Sequence, residues 1–258
     1  MRILVCIKQV LDSESPIVLD ERAHWIEEHT RCTWIMNRYD EFALEEALLI
    51  GERHADVHID ALTVGPPRAA AVVKKALEKG AHDAIHLRVD DPSLSAAQTA
   101  ALIAGYIADT SYDLILTGVM SEDLMQAQVG PTLAALRGVP CAASVVSQSC
   151  DIDTGTIRAR IELDGGSHEV VDLPMPCVLT IQSGINQPRY PSLSNVLRAK
   201  KVEPRTAICD MATVAARRDR VESIDFPERL KNVIMIDGTP GEKAAVLLSL
   251  LNEKGVLR

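Results

Sequence analysis

A polar loop near the middle of the chain carries residue types that can hold a phosphate group. It follows the apolar run Leu114–Leu116 and contains the side chains of Glu122, Asp123 and Gln126. The segment Ala127–Pro131, with a glycine at its fourth position, then opens a predicted helix. Backbone N–H groups at a helix start lack partners within the helix and carry partial positive charge, and a glycine permits close approach of a ligand. The loop is therefore predicted to bind a phosphate, although a strand-to-helix connection often needs a glycine for its turn alone.

Three further segments are expected at the same edge of a parallel sheet. Lys8–Asp12 and Val64–Pro66 follow predicted strands, and Asn37–Asp40 enters a predicted helix. Ligands of open parallel sheets bind beyond the carboxyl ends of the strands, so these segments and the polar loop are predicted to form one site. Asn37 and Asp40 are also residue types that cap helices, and capping is compatible with ligand contact.

Motifs that would indicate catalysis or metal binding are absent from the sequence. There is no G-x-G-x-x-G, no G-x-x-x-x-G-K-[ST] and no G-x-S-x-G motif. The six cysteines lie far apart without a C-x-x-C pair, and the seven histidines show no spacing typical of zinc ligands or catalytic partners. We therefore predict no catalytic residue and no metal site, and we interpret the cysteines as free thiols that pack as small hydrophobes. A nucleotide held without phosphate-cleaving residues would be structural or redox-active.

Strands and helices alternate along the first half of the chain, which indicates right-handed βαβ units and a parallel sheet. The predicted strands are Arg2–Lys8, Val57–Val64, Asp83–Leu87 and Tyr112–Leu116; the predicted helices are Tyr39–His54, Arg68–Lys79, one from Ser93 or Ser95 to Ala108, and Pro131–Arg137.

From Cys141 the pattern changes to strands separated by turn signals, and we expect these strands to be antiparallel additions to the sheet. They are Ala142–Cys150, Thr156–Leu163, Glu169–Leu173 and Cys177–Ile181. The predicted fold class is α/β: a mostly parallel Rossmann-like sheet with added antiparallel strands and a C-terminal arm.

The last part of the chain is polar and weakly periodic, as expected of an extended arm. A first domain is predicted over residues 1–201 and the arm over 202–258. A short strand, Val233–Ile236, and a helix, Gly241–Lys254, are predicted within the arm. The apolar stripe of that helix either packs in the core or contacts another chain.

Composition excludes several classes of protein. Apolar residues make up 47% of the 258 residues, which is enough for a large core. A net charge of −9 and an aromatic content of 3% argue against nucleic-acid binding. No apolar run is long enough to span a bilayer, and the start of the sequence has no signal-peptide pattern, so we expect a cytoplasmic protein that does not span a membrane.

Motifs in a fixed order along the chain match one known family. They are Val5–Val10, Asn37–Ala47, Gly65-Pro66, Ala76–Ala81, Asp164–Gly166, Pro176–Val178 and, most specifically, Asn186–Lys201. On these segments the sequence resembles the β subunit of electron-transfer flavoproteins over nearly its whole length.

The resemblance implies an electron carrier without turnover chemistry of its own. Its partner would be an α subunit that holds the FAD exchanging electrons with an acyl-CoA-type or other flavin dehydrogenase, and a quinone reductase is a further candidate partner. The β subunit would bind AMP, or a second FAD in the electron-bifurcating members. By the family's motifs the nucleotide contacts fall on Cys6, Asn37, Arg38, Tyr39, Asp40, Val64, Asp123, Gln126, Ala127, Gln128, Val129, Gly130, Pro131 and Thr132.

Three positions in this region depart from the family pattern. Arg38 replaces the usual proline, Val119 replaces a basic residue and Met125 replaces an acidic one. The segment Ala127–Pro131 is similar to the bifurcating branch. We therefore favour FAD over AMP in the β subunit, and whether the complex bifurcates electrons from NADH stays open. A side chain at position 130 is expected to crowd the diphosphate.

A partner-recognition segment is implied over residues 184–201. Its candidate contacts are Tyr190, Leu193, Val196 and Leu197, of which the last three share one helical face. The simpler alternative is that this face packs on the subunit's own core.

Two other classes of protein fit the sequence less well than the electron carrier. A nucleotide-binding sensor resembling universal stress proteins would share the fold but would lack a counterpart of Asn186–Lys201. A stand-alone ATP-dependent ligase is disfavoured because its Ser-Gly-Gly-x-Asp loop is missing.

Overall fold

The computed structural model describes residues 1–20, 25–91, 93–209, 221–227 and 233–256. The strands are β1 (Arg2–Cys6), β2 (Gln9–Leu11), β3 (Trp34–Met36), β4 (His58–Gly65), β5 (Asp83–Arg88), β6 (Leu114–Gly118), β7 (Cys141–Asp151), β8 (Thr156–Glu162), β9 (His168–Pro174), β10 (Cys177–Ile181) and β11 (Arg205–Ile208). The α-helices are α1 (Arg38–Arg53), α2 (Ala70–Lys79), α3 (Ala96–Tyr106), α4 (Val129–Arg137), α5 (Leu193–Ala199) and α6 (Pro240–Glu253).

A nine-stranded sheet forms the framework, in the order β11-β5-β4-β1-β6-β10-β7-β8-β9. Every pair from β11 to β7 is parallel, and β8 and β9 extend the sheet antiparallel. Strands β2 and β3 form a separate antiparallel ribbon. The predicted α/β class, with a mostly parallel sheet and added antiparallel strands, is confirmed.

The prediction of an antiparallel strand was wrong for β10. This strand lies between β6 and β7 and is parallel to both. All five of its residues, Cys177–Ile181, are buried. A strand that is covered on both faces, as central parallel strands are, has a continuous run of apolar residues. Its sequence does not alternate between apolar and polar residues.

The core lies on both faces of the sheet because side chains alternate along each strand. On β1, Ile3 and Val5 pack with α1 and α2, whereas Leu4 and Cys6 pack with α3 and α4. The start of α3 is fixed by a capping box, in which Ser95 and Gln98 each accept a hydrogen bond from the other residue's backbone N–H.

The chain divides into two compact units, Met1–Ser223 and Ile224–Arg258. Residues 205–208, which fall within the predicted arm, form the edge strand β11 of the main sheet. The strand predicted over Val233–Ile236 is not formed in the described segment 233–256, where these residues lack a hydrogen-bonded neighbouring strand. Helix α6 begins with a capping box between Thr239 and Glu242 and buries none of its described residues. No described helix is long and apolar enough to cross a membrane.

Candidate functional site

A cleft lies beside β1, at the point where successive strands of the chain change from one side of this strand to the other. The chain passes from β1 to β4 and β5 on one side, and then to β6 on the other side of β1. In open α/β sheets such a switch point, at the carboxyl ends of the strands, is the usual place for a ligand. The cleft is lined there by residues that follow β1, β4 and β6, by the start of α4 and by the β2–β3 ribbon.

Asn37 and Asp40 form the floor of the cleft and bind the backbone of neighbouring segments. The Asn37 side chain donates to the carbonyl of Met120 (2.9 Å) and accepts from the N–H of Glu122 (3.0 Å). The Asp40 carboxylate accepts from the N–H groups of Lys8 (2.7 Å) and Gly118 (2.9 Å). Asn37 occupies the N-cap position of α1, but its side chain makes no capping hydrogen bond. These two residues therefore hold the ends of β1 and β6 in place.

The chemistry of the floor is that of a buried acid beside a buried thiol. Burial raises the pKa of Asp40 to about 7, and the N–H groups of Lys8 and Gly118 oppose that rise. Burial and the nearby Asp40 raise the pKa of Cys6, so its thiol stays protonated and is a poor nucleophile. A side chain at Gly118 would collide with Asp40 and Tyr39, which explains the glycine there.

Lys8 places a cation in the cleft. Its ammonium group lies 2.7 Å from Asp123 Oδ1 and 3.3 Å from Ser121 Oγ. Both partners belong to the loop after β6, more than a hundred residues away along the chain, so no local pattern signals this pair.

The loop before α4 has the backbone form of an anion-binding turn. Met125 and Ala127 adopt positive φ angles of 51° and 53°. Gln128 follows Ala127 in the right-handed helical region, and among the described residues no side chain caps α4. A left-handed residue followed by a right-handed one turns successive N–H groups toward one point, where they can bind an anion. The uncapped helix start adds further N–H groups with no partner within the helix.

The opposite wall of the cleft was not predicted from the sequence. Arg68 stacks over the ring of Trp34, with its guanidinium carbon 3.4 Å from the ring centroid, and pairs with Glu28 at 2.7 Å. Its Nη1 donates to Gln9 Oε1 (2.6 Å). Trp25 also lines the cleft. The only sequence signal was that both tryptophans of the chain fall in the connection between β1 and α1.

The structure brings most of the predicted nucleotide contacts together. The predicted residues that line the cleft are Cys6, Asn37, Asp40, Val64, Asp123, Gln126, Ala127, Gln128, Val129 and Gly130. Arg38, Tyr39, Pro131 and Thr132 do not line it. Arg38 pairs with Glu122 at 3.5 Å across the cleft rim, and Tyr39 packs behind Gly118.

Gly130 has a packing role that the sequence did not reveal. A Cβ atom here would lie 2.5 Å from Thr180 Cγ2 and 2.9 Å from Thr117 Oγ1. The glycine thus lets α4 approach β6 and β10. The expectation that a side chain at this position would mainly crowd a diphosphate is corrected, because the side chain would point into the sheet.

The predicted recognition segment presents an exposed apolar surface. Tyr190 is 95% and Leu193 77% exposed, Leu197 is also exposed and Val196 is half-buried. Arg189, which precedes them, donates to both carboxylate oxygens of the buried Glu45. The alternative that the whole face packs on the subunit's own core is therefore wrong for Leu193 and Leu197.

The parallel sheet, with a cleft at its switch point, defines the class of protein as doubly wound α/β. The family described as "Electron transfer flavoprotein domain" matches residues 25–209, which is well over half of the chain. The chain therefore belongs to the electron transfer flavoprotein family.

Relatives of nearly the same length place the chain on the beta-subunit branch of this family. The chain is 33% identical over 264 residues to the "Electron transfer flavoprotein subunit beta" of Clostridium acetobutylicum, covering 98% of this chain and 99% of that protein. It is 32% identical over 263 residues to the subunit of the same description from Methylophilus methylotrophus, with 98% of both chains covered. The counterpart from Bacillus subtilis is 30% identical over 261 residues, again with 98% of both covered.

Proposed function

We propose that the chain binds an adenine nucleotide in the cleft and acts, with an α subunit, as an electron carrier between a flavin dehydrogenase and a downstream acceptor. The observation that carries the proposal is the cleft at the switch point, with an uncapped helix start and a left-handed turn on one side and Lys8 on another. Flavin held by the two subunits supplies the electron exchange. The residues of this chain hold and orient the nucleotide.

The donor groups in the cleft suit a nucleotide phosphate. Backbone N–H groups near Ala127–Gly130 are suited to the phosphate oxygens, and Lys8 supplies positive charge. In the structure that ammonium pairs with Asp123 at 2.7 Å. Binding of a phosphate would draw Lys8 away from Asp123, which would leave the carboxylate free to accept hydrogen bonds from ribose hydroxyls.

We favour FAD over AMP as the nucleotide of this cleft. The support is the similarity of Ala127–Pro131 to the bifurcating branch. Val119, which stands in place of a basic residue, is buried in this cleft and contributes no charge. A second flavin would therefore be held loosely and lost in part on purification.

The decisive experiment is to identify the nucleotides released from the co-purified heterodimer by chromatography. We expect two FAD per heterodimer after incubation with excess FAD, because occupancy follows mass action. One FAD and one AMP, with no further uptake, would assign the cleft to AMP. A heterodimer that releases only one FAD and no other nucleotide would overturn nucleotide binding by this chain.

A matched pair of variants tests the role of Lys8. Lys8→Met should lower nucleotide retention in the β subunit at least about tenfold, since a charge-assisted contact to phosphate is lost. Lys74→Met, which removes an exposed lysine from α2, should leave retention unchanged. Equal retention in the two variants would show that Lys8 does not contact the nucleotide.

We further propose that the exposed patch of Tyr190, Leu193 and Leu197 docks the dehydrogenase. Leu193→Ala should slow electron transfer with the dehydrogenase while leaving flavin content and Tm nearly unchanged, because truncating an exposed anchor removes partner contact and no internal packing. Leu163→Ala, at an exposed leucine after β8, serves as the control and should change neither. A large fall in Tm with unchanged transfer would contradict the docking role.

A further inference from the structure

A cluster of one histidine and two aspartates lies at the amino ends of β4 and β5, the edge of the sheet opposite the cleft. His58 is the first residue of β4, and Asp83 is the first residue of β5. Asp60 lies beside Asp83 in the parallel register of the two strands, and Arg2 of β1 lies beside His58. The cluster spans two neighbouring strands, and for that reason its members follow no metal-binding motif in the sequence.

Three side-chain atoms converge in this cluster. His58 Nε2 lies 3.2 Å from Asp60 Oδ1 and 3.1 Å from Asp83 Oδ2. One ligand atom from each of the three residues lies within 4.8 Å of the other two. Ligand atoms bound tetrahedrally to one metal ion at about 2.0–2.2 Å are separated by about 3.3–3.6 Å. Both distances from His58 Nε2 are slightly shorter than this separation, and the half-exposed side chain of Asp83 has room to adjust.

One oxygen of the cluster is buried without a hydrogen-bond donor. Asp60 is fully buried, and its Oδ2 accepts from Arg2 (2.7 Å) and from the Tyr112 hydroxyl (2.6 Å). Its Oδ1 finds no hydrogen-bond donor among the described residues. A neutral imidazole carries at most one hydrogen on Nε2, and the better-placed acceptor for it is Asp83. A buried carboxylate oxygen without a donor is unfavourable, and a cation shared by the three atoms would satisfy it.

We propose that His58 Nε2, Asp60 Oδ1 and Asp83 Oδ2 bind one divalent transition-metal ion, with Zn²⁺ as the preferred ion and water in the remaining position. Imidazole and carboxylate ligands together suit Zn²⁺, and three protein ligands leave an open site. Arg2 and Tyr112 hold Asp60 from behind, as outer-shell groups do in metal sites. The His82 ring stacks on His58 with centroids 4.8 Å apart and fixes its plane. The ion would join β4 to β5 independently of the nucleotide cleft.

Arg205 is the natural competitor for this ion. Its guanidinium lies 3.7 Å from Asp83 Oδ2, the same oxygen that would bind the metal. Arg205 is exposed, so its removal need not disturb the fold. This geometry predicts that Arg205→Gln raises the affinity for the metal ion, whereas loss of a metal ligand would lower it.

The test is a titration of the full-length chain with Zn²⁺ by calorimetry and with Co²⁺ by visible absorption. We expect one ion per chain. His58→Ala and Asp83→Asn should each weaken binding at least tenfold, whereas Arg205→Gln should strengthen it several-fold. His168→Ala, which removes an exposed histidine from β9, should have no effect.

The results of these titrations either support or overturn the metal site. Absence of a one-to-one ion, or affinities unchanged in both Asp83→Asn and Arg205→Gln, would overturn the site. If His58→Ala does not fold, as judged by circular dichroism, the variants at the half-exposed Asp83 and the exposed Arg205 still decide the question. Nucleotide content of the heterodimer is expected to be the same in all variants, so failure here is distinct from failure of the proposed function.

Discussion

Side chains on the floor of the cleft bind the protein's own backbone, and this limits what they can offer a ligand. Asn37 and Asp40 use their oxygens to hold Glu122, Lys8 and Gly118. We therefore expect these two residues to shape the cleft, while backbone N–H groups and Lys8 bind the phosphate. A motif comparison locates such residues but does not distinguish a ligand contact from a structural support.

The glycine at the start of α4 gives a direct test of helix packing. Gly130→Ala should lower the free energy of unfolding by about 1–3 kcal/mol, because the added methyl overlaps Thr180 and Thr117. Gly105→Ala in α3 is the matched control: its Cβ would meet nothing within 4 Å, and it should stabilise by up to about 1 kcal/mol. Denaturant unfolding of the two variants measures both changes in the free energy of unfolding. A neutral Gly130→Ala would show that α4 can move away from the sheet.

The buried Asp40 makes stability depend on pH in a predictable direction. Its folded-state pKa is about 7, above the unfolded value of 3.8, so between these values the folded chain binds more protons than the unfolded chain. The contribution of this group is therefore fully present below about pH 4 and is lost as the pH rises through about 7.

Denaturation of the nucleotide-free chain and of Asp40→Asn across pH 4–8 checks this prediction. Relative to Asp40→Asn, the unmodified chain should lose stability as the pH rises. Parallel pH profiles for the two proteins would show that Asp40 does not titrate in this range.

At the scale of elements, the predicted recognition segment is attached to α1 by an ion pair between the partly exposed Arg189 and the buried Glu45. Arg189 contacts Glu45 on α1 through Nε and Nη2, and it also contacts Glu52. Asn186 donates to Glu46 and to the carbonyl of Phe42 on the same helix. These contacts hold the backbone of the segment against α1, so the exposed side chains of Tyr190, Leu193 and Leu197 have a defined position.

Breaking this attachment should affect both stability and partner contact. Arg189→Ala leaves the carboxylate of Glu45 buried without its main partner, which costs about 2–3 kcal/mol after allowance for the partial exposure of Arg189. Arg158→Ala removes an exposed arginine that pairs with Asp172, and it should change Tm little. The Tm and the rate of electron transfer with the dehydrogenase should both fall in Arg189→Ala, and neither should fall in Arg158→Ala. If Arg189→Ala is destabilised but transfers electrons at an unchanged rate, the ion pair with Glu45 is not needed for contact with the dehydrogenase.

Most elements of the main sheet could be predicted from the sequence, and the exceptions have physical causes. Helices α2 and α4 end at Gly80 and Gly138, where residues with positive φ supply a local stop signal. The apolar run Val233–Ile236 resembles a strand, but a strand also needs a neighbour, which sequence does not supply. The Lys8–Asp123 pair, and with it one wall of the cleft, depends on contacts far apart along the chain.

At the scale of the whole molecule, the second unit exposes a number of apolar side chains. Val246, Leu247 and Leu248 of α6 are each about half exposed, and Ile234 and Met235 are more exposed still. Exposed apolar side chains at this density are typical of interaction surfaces. We expect the α subunit to cover them.

Removal of residues 224–258 tests this arrangement. The remaining unit, Met1–Ser223, holds the main sheet and the cleft, so it should keep cooperative unfolding with a Tm close to that of the full chain. Its affinity for the α subunit should fall at least about 100-fold, since burial of two exposed leucine-sized side chains is worth about 3 kcal/mol. Heterodimer formation is measured by calorimetry against the full chain. A shortened chain that pairs with the α subunit as tightly as the full chain would show that the interface lies within the first unit. A shortened chain that no longer unfolds cooperatively would instead show that α6 and the segment before it complete the fold.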